Sequence, residues 1–342
     1  MAYTTINKSS EHFNTKLYTG TGATQSITGV GFQPDMNWCK LRTTAYNHVI
    51  VDAVRGVTKV IRPNLNNTED TYTNAITSFD SDGFTLGADT NGEHNRNGDN
   101  IVSWNWKANG AGVSNTDGDI TSTVSANTTS GFSIVSYTGT GSQATVGHGL
   151  GATPKWIVVK RLQNAEDWAV YHASNGAGTY QSLNTTEGKQ TNSNRFNVAP
   201  TSSVFTVNTH ESVNFAENYI AYCFAEKTGY SKFDLYTGNG QADGTFVYTG
   251  FKPAFVITKI TSGSDNWALW DNKREPFNVN DNILRTDTNS SETSSTSYAV
   301  DFISNGFKLR GTDGKINGSG STYIYMAFAE EPLVGDNPAT AR

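Results

Sequence analysis

The residues able to do chemistry are few and scattered. The six histidines, His12, His48, His94, His148, His172 and His210, fall in no metal-ligand or triad spacing. The chain has no Gly-x-Ser-x-Gly elbow, no Walker loop, no His-Glu-x-x-His and no Cys-x-x-Cys. One aligned position stands out. The runs His48-Val-Ile-Val-Asp52, Trp168-Ala-Val-Tyr-His172 and Trp267-Ala-Leu-Trp-Asp271 place Asp52, His172 and Asp271 in register. A carboxylate exchanged for an imidazole could mark a ligand position. Strand periodicity offers the plainer alternative of a polar strand end facing water. General acid–base work needs two tuned groups in one cleft, and no such pair is visible, so the chain reads as non-enzymatic. Asp89, Glu93 and Asp99 in one polar loop, or Asp80 with Asp82, could offer oxygen ligands to calcium, but the EF-hand spacing is missing. Asp-Gly turns also form for conformational reasons alone. No metal and no cofactor is expected.

Carbohydrate recognition needs an aromatic platform beside Asp, Asn and main-chain donors on loops. Trp168, Trp267 and Trp270 lie near Asp167, Asp265, Asn266 and Asp271 in the sequence, although tryptophans of a core would look the same. In these runs, which are apolar on both faces, Trp168 with Val170 and Trp267 with Leu269 are expected to face inward. Tyr171 and Trp270 are then expected to point outward, under a neighbouring unit or subunit. Tyr171, His172, Trp270, Asp271 and Asp52 are therefore the receptor or subunit-interface candidates.

These positions recur because the chain does. Tyr18-Thr-Gly-Thr-Gly22 returns as Tyr137-Thr-Gly-Thr-Gly141 and Tyr236-Thr-Gly-Asn-Gly240, 119 and then 99 residues apart. An apolar residue and a proline follow each time (Phe32 and Pro34, Leu150 and Pro154, Phe251 and Pro253). Then comes a run ending in Lys40, Lys160 or Lys259. Aromatic-rich runs at 101–106, 220–224 and 324–328 close each copy. The spacing predicts three tandem units of about 100 residues, the size of a small domain. The boundaries read as 1–108, 109–227 including a Gly/Asn/Ser linker at 109–118, flexible by composition, and an extra strand-like segment at 119–126, and 228–342 with a polar tail at 335–342.

Strand-like runs of four to seven residues, bounded by Gly, Asn, Asp or Pro, replace helical periodicity throughout. The fold class is all-β, each unit a β-sandwich of jelly-roll or lectin-like type. In 219–224, Ile220, Tyr222 and Phe224 share one face. Ala221 and Cys223 share the other, where another layer must approach closely. With 25 basic against 31 acidic residues and no basic cluster, nucleic acid is not an expected partner. No apolar run is long enough for a membrane span, and the first ten residues lack the pattern of a secretory signal. Cys39 and Cys223, inside apolar runs, read as buried thiols.

The opening Met1-Ala-Tyr-Thr-Thr-Ile-Asn-Lys-Ser-Ser-Glu-His-Phe-Asn-Thr-Lys-Leu-Tyr-Thr-Gly-Thr-Gly22 resembles the start of virion structural proteins of marine tailed bacteriophages, which carry a domain of unknown function. Gly31-Phe-Gln-Pro-Asp35, Asp52-Ala-Val-Arg-Gly56, Ser103-Trp-Asn-Trp-Lys107, Ala221-Tyr-Cys-Phe-Ala-Glu-Lys227, Gly229-Tyr-Ser-Lys-Phe233 and Tyr325-Met-Ala-Phe-Ala-Glu330 are similar too. The resemblance spans essentially the whole chain. It implies a place on the outer surface of a virion, after synthesis in the host cytoplasm without a signal peptide. It also implies other virion proteins as partners and a homo-oligomer, a trimer by analogy with fibres. The role implied is tail-fibre or tail-tip attachment to a host surface polysaccharide, or alternatively capsid decoration as a head fibre. A depolymerase would need an acid pair that the sequence does not show.

Overall fold

A computed structural model describes residues 4–332; the polar tail expected at 335–342 lies outside them. The fold is all-β, and the longest helix among the described residues is Gly314–Asn317. Three four-stranded antiparallel arrangements share one strand order, in which opening, closing, lysine-bearing and short strands lie side by side. The first joins Phe13–Thr19, Asn100–Trp106, Met36–Leu41 and Val49–Asp52. The second joins Phe132–Thr138, Asn218–Ala225, Pro154–Arg161 and Ala169–His172, and extends further at both edges. The third joins Ser231–Thr237, Thr322–Pro332, Phe251–Ile260 and Ala268–Asp271. The strands expected from sequence at 156–160, 219–224, 255–260 and 323–328 all lie within these elements.

A smaller sheet accompanies each. It is built from Gln25–Thr28, Gly83–Leu86 and Ile76–Asp80 in the first segment, and from Ala144–Gly147 and Val204–Val207 in the second. In the third it is Phe246–Tyr248, Gly306–Leu309 and Val300–Ile303. Between each pair lies an apolar core. The first holds Ile27, Phe84, Leu86, Cys39, Val49 and Val51. The second holds Val146, Phe205, Val207, Ala221, Cys223 and Tyr171. The third holds Val247, Phe302, Phe307, Val256, Trp270 and Tyr325. The small residues Ala221 and Cys223 face that second layer, as their alternation predicts.

The other face of each four-stranded sheet is also covered. Trp38, Trp104 and Trp106 of the first meet Trp156, Trp168 and Phe224 of the second and Phe255, Trp267 and Phe328 of the third in one shared core. Trp106 packs edge-on to Phe255, with centroids 5.7 Å apart, and Trp156 lies 5.8 Å from Trp267. A sheet buried on both faces needs near-continuous apolar strands. Met36–Leu41, Ala169–His172 and Phe251–Ile260 are indeed buried at every position.

This arrangement corrects the expected orientation of the short strands. Trp168 and Trp267 face the shared centre, while Tyr171 and Trp270 point into their own segment's core. Neither faces outward. The segment 109–118, flexible by composition, is instead held in place. The Asp35 carboxylate accepts from the Ala108 and Gly110 amides at 2.7 and 3.1 Å. Val113–Asn115 then pairs with Ser122–Asn127, which pairs in turn with the opening strand Phe132–Thr138.

Candidate functional site

The recurring tyrosine–glycine stretch builds the same small structure three times. The Tyr18, Tyr137 and Tyr236 hydroxyls donate to the carbonyls of His94, Val213 and Ile316 at 2.8, 2.6 and 2.7 Å. The next residue in each case is a wholly buried asparagine, Asn95, Asn214 or Asn317. Its Oδ1 accepts from the amide of Thr21, Thr140 or Asn239 at 2.8, 2.7 and 2.9 Å. Its Nδ2 donates back to the turn, to Ala23, Ser142 or Gln241. A Cβ at Gly20, Gly139 or Gly238 would overlap the carbonyl oxygen of Arg96, Phe215 or Gly318, so only glycine lets the strands approach. The second glycines, Gly22, Gly141 and Gly240, sit at φ of 66, 76 and 70°. The stretch is thus a loop lock. Its exposed tips are Thr21–Thr24, Thr140–Gln143 and Gln241–Asp243, rich in hydroxyls and amides.

The strand-end residues Asp52, His172 and Asp271 are buried, which removes them as receptor contacts. Asp52 accepts from the Arg55 guanidinium at 2.6 Å, from the Val54 and Arg55 amides, and from the Tyr222 hydroxyl of the second segment at 2.7 Å. Burial, with Asp52 beside it, holds the Tyr222 phenol well above its usual range. Asp271 repeats the pattern, accepting from Arg274 at 2.6 Å and from Trp104 Nε1 of the first segment at 3.0 Å. His172 lies against the backbone of Tyr325 in the third segment, with burial pushing its pKa down to about 4. The carboxylate-to-imidazole exchange has a charge explanation. Where Asp52 and Asp271 are followed three residues on by arginine, His172 is followed by Asn175, so a carboxylate there would be a buried charge without its partner.

These contacts run round a closed ring, from the first segment to the second, the second to the third and the third to the first. Other groups follow the same path. Trp168 Nε1 donates to the Arg62 and Leu65 carbonyls, Trp267 Nε1 to Ser182, and His48 Nε2 meets the Arg285 carbonyl at 3.0 Å. Main-chain bonds close the same three boundaries. Glu69 donates to Leu162, Lys189 to Thr261 and Glu292 to Arg42, at 2.9, 3.1 and 2.9 Å.

The three aligned lysines lie beside these boundaries, wholly buried. Lys160 Nζ donates to the Asn66 and Glu166 carbonyls, and Lys259 Nζ to Thr185 and Asp265. Lys40 Nζ stays within its own segment, donating to Leu41 at 2.6 Å. Burial lowers all three pKa values to about 8.

The remaining candidates are dispersed. All seven tryptophans are buried, none more than 6% exposed, so Trp168, Trp267 and Trp270 form no sugar platform on the surface. Asp89 accepts from the His94 and Asn95 amides, Glu93 pairs with Arg62 at 2.8 Å, and Asp99 accepts from Thr43 and Thr44. Asp82 is taken by the Gly29 and Gly31 amides, and Asp80 by Ser78 and Thr85. Among the described residues no three His, Cys, Asp or Glu side chains are grouped to hold a metal ion. No helix among them is long and apolar enough to cross a membrane.

Residues 8–332 match a family described as a domain of unknown function, DUF7483. The chain belongs to the DUF7483 family. No curated protein matches it. The exposed, repeated feature of this DUF7483 chain is its set of three polar tips, each held by the same tyrosine and asparagine bonds.

Proposed function

We propose that this DUF7483 chain is a non-enzymatic surface protein of a virus particle, of tail-fibre or tail-tip type, that attaches to host surface glycans through its locked tips. In this reading the chain is three tandem copies of one lectin-like β-sandwich unit, 1–108, 109–227 and 228–342. The observation that carries it is the loop lock, present three times with the same donors and acceptors. A preformed polar loop loses little conformational freedom on binding. Three such tips in one molecule can engage a repetitive surface together, gaining avidity beyond any single contact. The likeness to phage virion proteins, set out from the sequence, supports the location. Threefold display expected of a homotrimer is available here within one chain.

The test adds purified protein to host cells before infection, where it should lower phage adsorption. Glutamate at Thr21, Thr140 and Gln241 together should abolish that block with the melting temperature unchanged. Particles made without the chain that adsorb normally would sink the proposal.

A second reading, capsid decoration, has its own observation. Among the described residues, five of the eight exposed large apolar side chains, Leu235, Phe246, Tyr248, Phe277 and Val279, belong to the third segment, and none to the first. Such one-sided exposure suits docking onto another virion protein. Shell strength lost in particles lacking the chain, with adsorption intact, would select this role.

A further inference from the structure

The three opening strands occupy equivalent places in their sheets but differ in what lies beyond them. Phe132–Thr138 is covered along six residues by Ser122–Asn127, with pairs running from Ser122 with Tyr137 to Asn127 with Phe132. Phe13–Thr19 and Ser231–Thr237 are edge strands with no such cover among the described residues. Each borders a groove where the neighbouring segment turns away from its short strand. The first groove has a volume of about 300 Å³ and is lined by Asn14 to Leu17, Gly29 and Lys273. The second, about 250 Å³, is lined by Lys155, Ser174, Glu226, Lys232, Phe233 and Asp234.

The two grooves differ in charge. In the second, Lys232 is paired with Glu226 at 3.0 Å and Asp234 at 3.9 Å, and Ser174 bonds Asp234 across the opening. In the first, neither Lys16 nor Lys273 makes an ion pair among the described residues; Asp82, which feels the Lys16 charge from beyond ion-pair distance, is bound to the Gly29 and Gly31 amides. Lysines on an exposed edge discourage pairing with another copy of the same edge, because two ammonium rows would meet. An acidic strand reverses that sign. It would neutralise both lysines while its backbone completes the ladder, with main-chain bonds supplying affinity and alternate side chains supplying selectivity.

We propose that the outer edge of Phe13–Thr19 is a docking site for an extended acidic segment of a partner protein. The segment adds to the first sheet as Ser122–Asn127 adds to the second. The inference rests on the edge and its charges, and holds whichever role on a particle is correct.

The test uses the full chain and a synthetic peptide of about eight residues, alternating threonine and valine with two glutamates in place of threonines. Binding is followed by fluorescence anisotropy. The acidic peptide should bind with a Kd below about 1 mM, and the affinity should fall at least about tenfold in a Lys16→Glu/Lys273→Glu variant. A peptide with lysines in place of the glutamates should not bind, and N-methylation of alternate amides should abolish binding of the acidic one. Unchanged melting of the variant confirms that substituting half-buried Lys16 and exposed Lys273 leaves the fold intact. Equal binding of acidic and basic peptides, survival of binding after N-methylation, or no binding at about 1 mM would each overturn the proposal. So would concentration-dependent dimerisation that the Lys16→Glu/Lys273→Glu variant loses, since the occupant would then be a second copy of this chain.

Discussion

Replacing Lys160 with methionine should change the way stability depends on pH. The Lys160 ammonium is wholly buried, donates to the Asn66 and Glu166 carbonyls at 2.9 and 2.8 Å, and is held by burial at a pKa of about 8. In the unfolded chain it titrates near its ordinary value of about 10.4. Below pH 8 both states carry the proton, and the folded state bears the full cost of burying the charge. As pH rises through 8 the folded protein releases the proton first, so stability rises until the unfolded chain titrates too. Between pH 7 and pH 10 this should return about 2–3 kcal/mol.

The buried thiols act the other way. Burial raises Cys39 and Cys223, so above pH ~8.5 the unfolded chain loses protons that the folded one keeps, and stability falls. Buried tyrosines such as Tyr137 and Tyr236, also raised by burial, add to that fall above pH ~10. The wild-type profile alone is therefore not diagnostic. Its difference from Lys160→Met is, because thiols and phenols cancel. Urea unfolding followed by tryptophan fluorescence at each pH should show the gap moving by about 2–3 kcal/mol in favour of the wild type. A gap constant to within about 0.5 kcal/mol would refute the reasoning.

Asn214→Ala removes both bonds that hold the second tip, to the Thr140 amide at 2.7 Å and the Ser142 carbonyl at 2.5 Å. It should cost about 1–3 kcal/mol in denaturant unfolding and speed hydrogen exchange at Thr140. Trp104→Phe removes the indole donor to Asp271 across the boundary of the first and third segments and should cost about 2–4 kcal/mol. In a double-mutant cycle with Asp271→Asn, the pair should couple by about 1–3 kcal/mol, and additivity would show that the contact does not hold the ring.

Much of the framework is legible because its determinants are local. The tyrosine–glycine stretches, the lysine-ending runs and the closing aromatic runs mark strands and turns whose geometry depends on adjacent residues. The extra strand-like segment at 119–126 is recognisable for the same reason and overlaps the strand Ser122–Asn127. What it pairs with is a question of sheet order, and the composition of 109–118 pointed to mobility instead. The misplacement of Tyr171 and Trp270 comes from assuming that a sandwich sheet keeps one face towards water. The signal against that assumption was present, since Trp168-Ala-Val-Tyr-His172 is apolar on both faces. Asn95, Asn214 and Asn317 escaped because a loop asparagine in an asparagine-rich chain carries no mark of burial. Their separations from the residues they hold, 74, 74 and 78, were the detectable trace. Asp52 and Asp271 looked like solvated strand ends until their arginines and the donors from neighbouring segments were in place.

The shared core explains why three segments belong together. Each four-stranded sheet has one face satisfied by its own small sheet and another that only its neighbours can cover. Trp156, Trp168, Phe132, Ile220, Tyr222 and Phe224 all lie on that second face in the middle segment. At roughly 25 cal/mol per Å² of apolar surface, exposing six such side chains would outweigh the net stability typical of a domain, about 5–15 kcal/mol. A single segment therefore has no reason to persist alone, and the ring is the smallest unit that buries its own surface. Joining the three in one chain frees each to diverge. His172 and Asn175 replace the Asp–Arg pair only in the middle segment, the added hairpin covers only its edge, and Lys40 alone keeps its ammonium contacts within its own segment. Three identical subunits could not differ in this way, so any partner that tells one side of the ring from another must read these departures from symmetry.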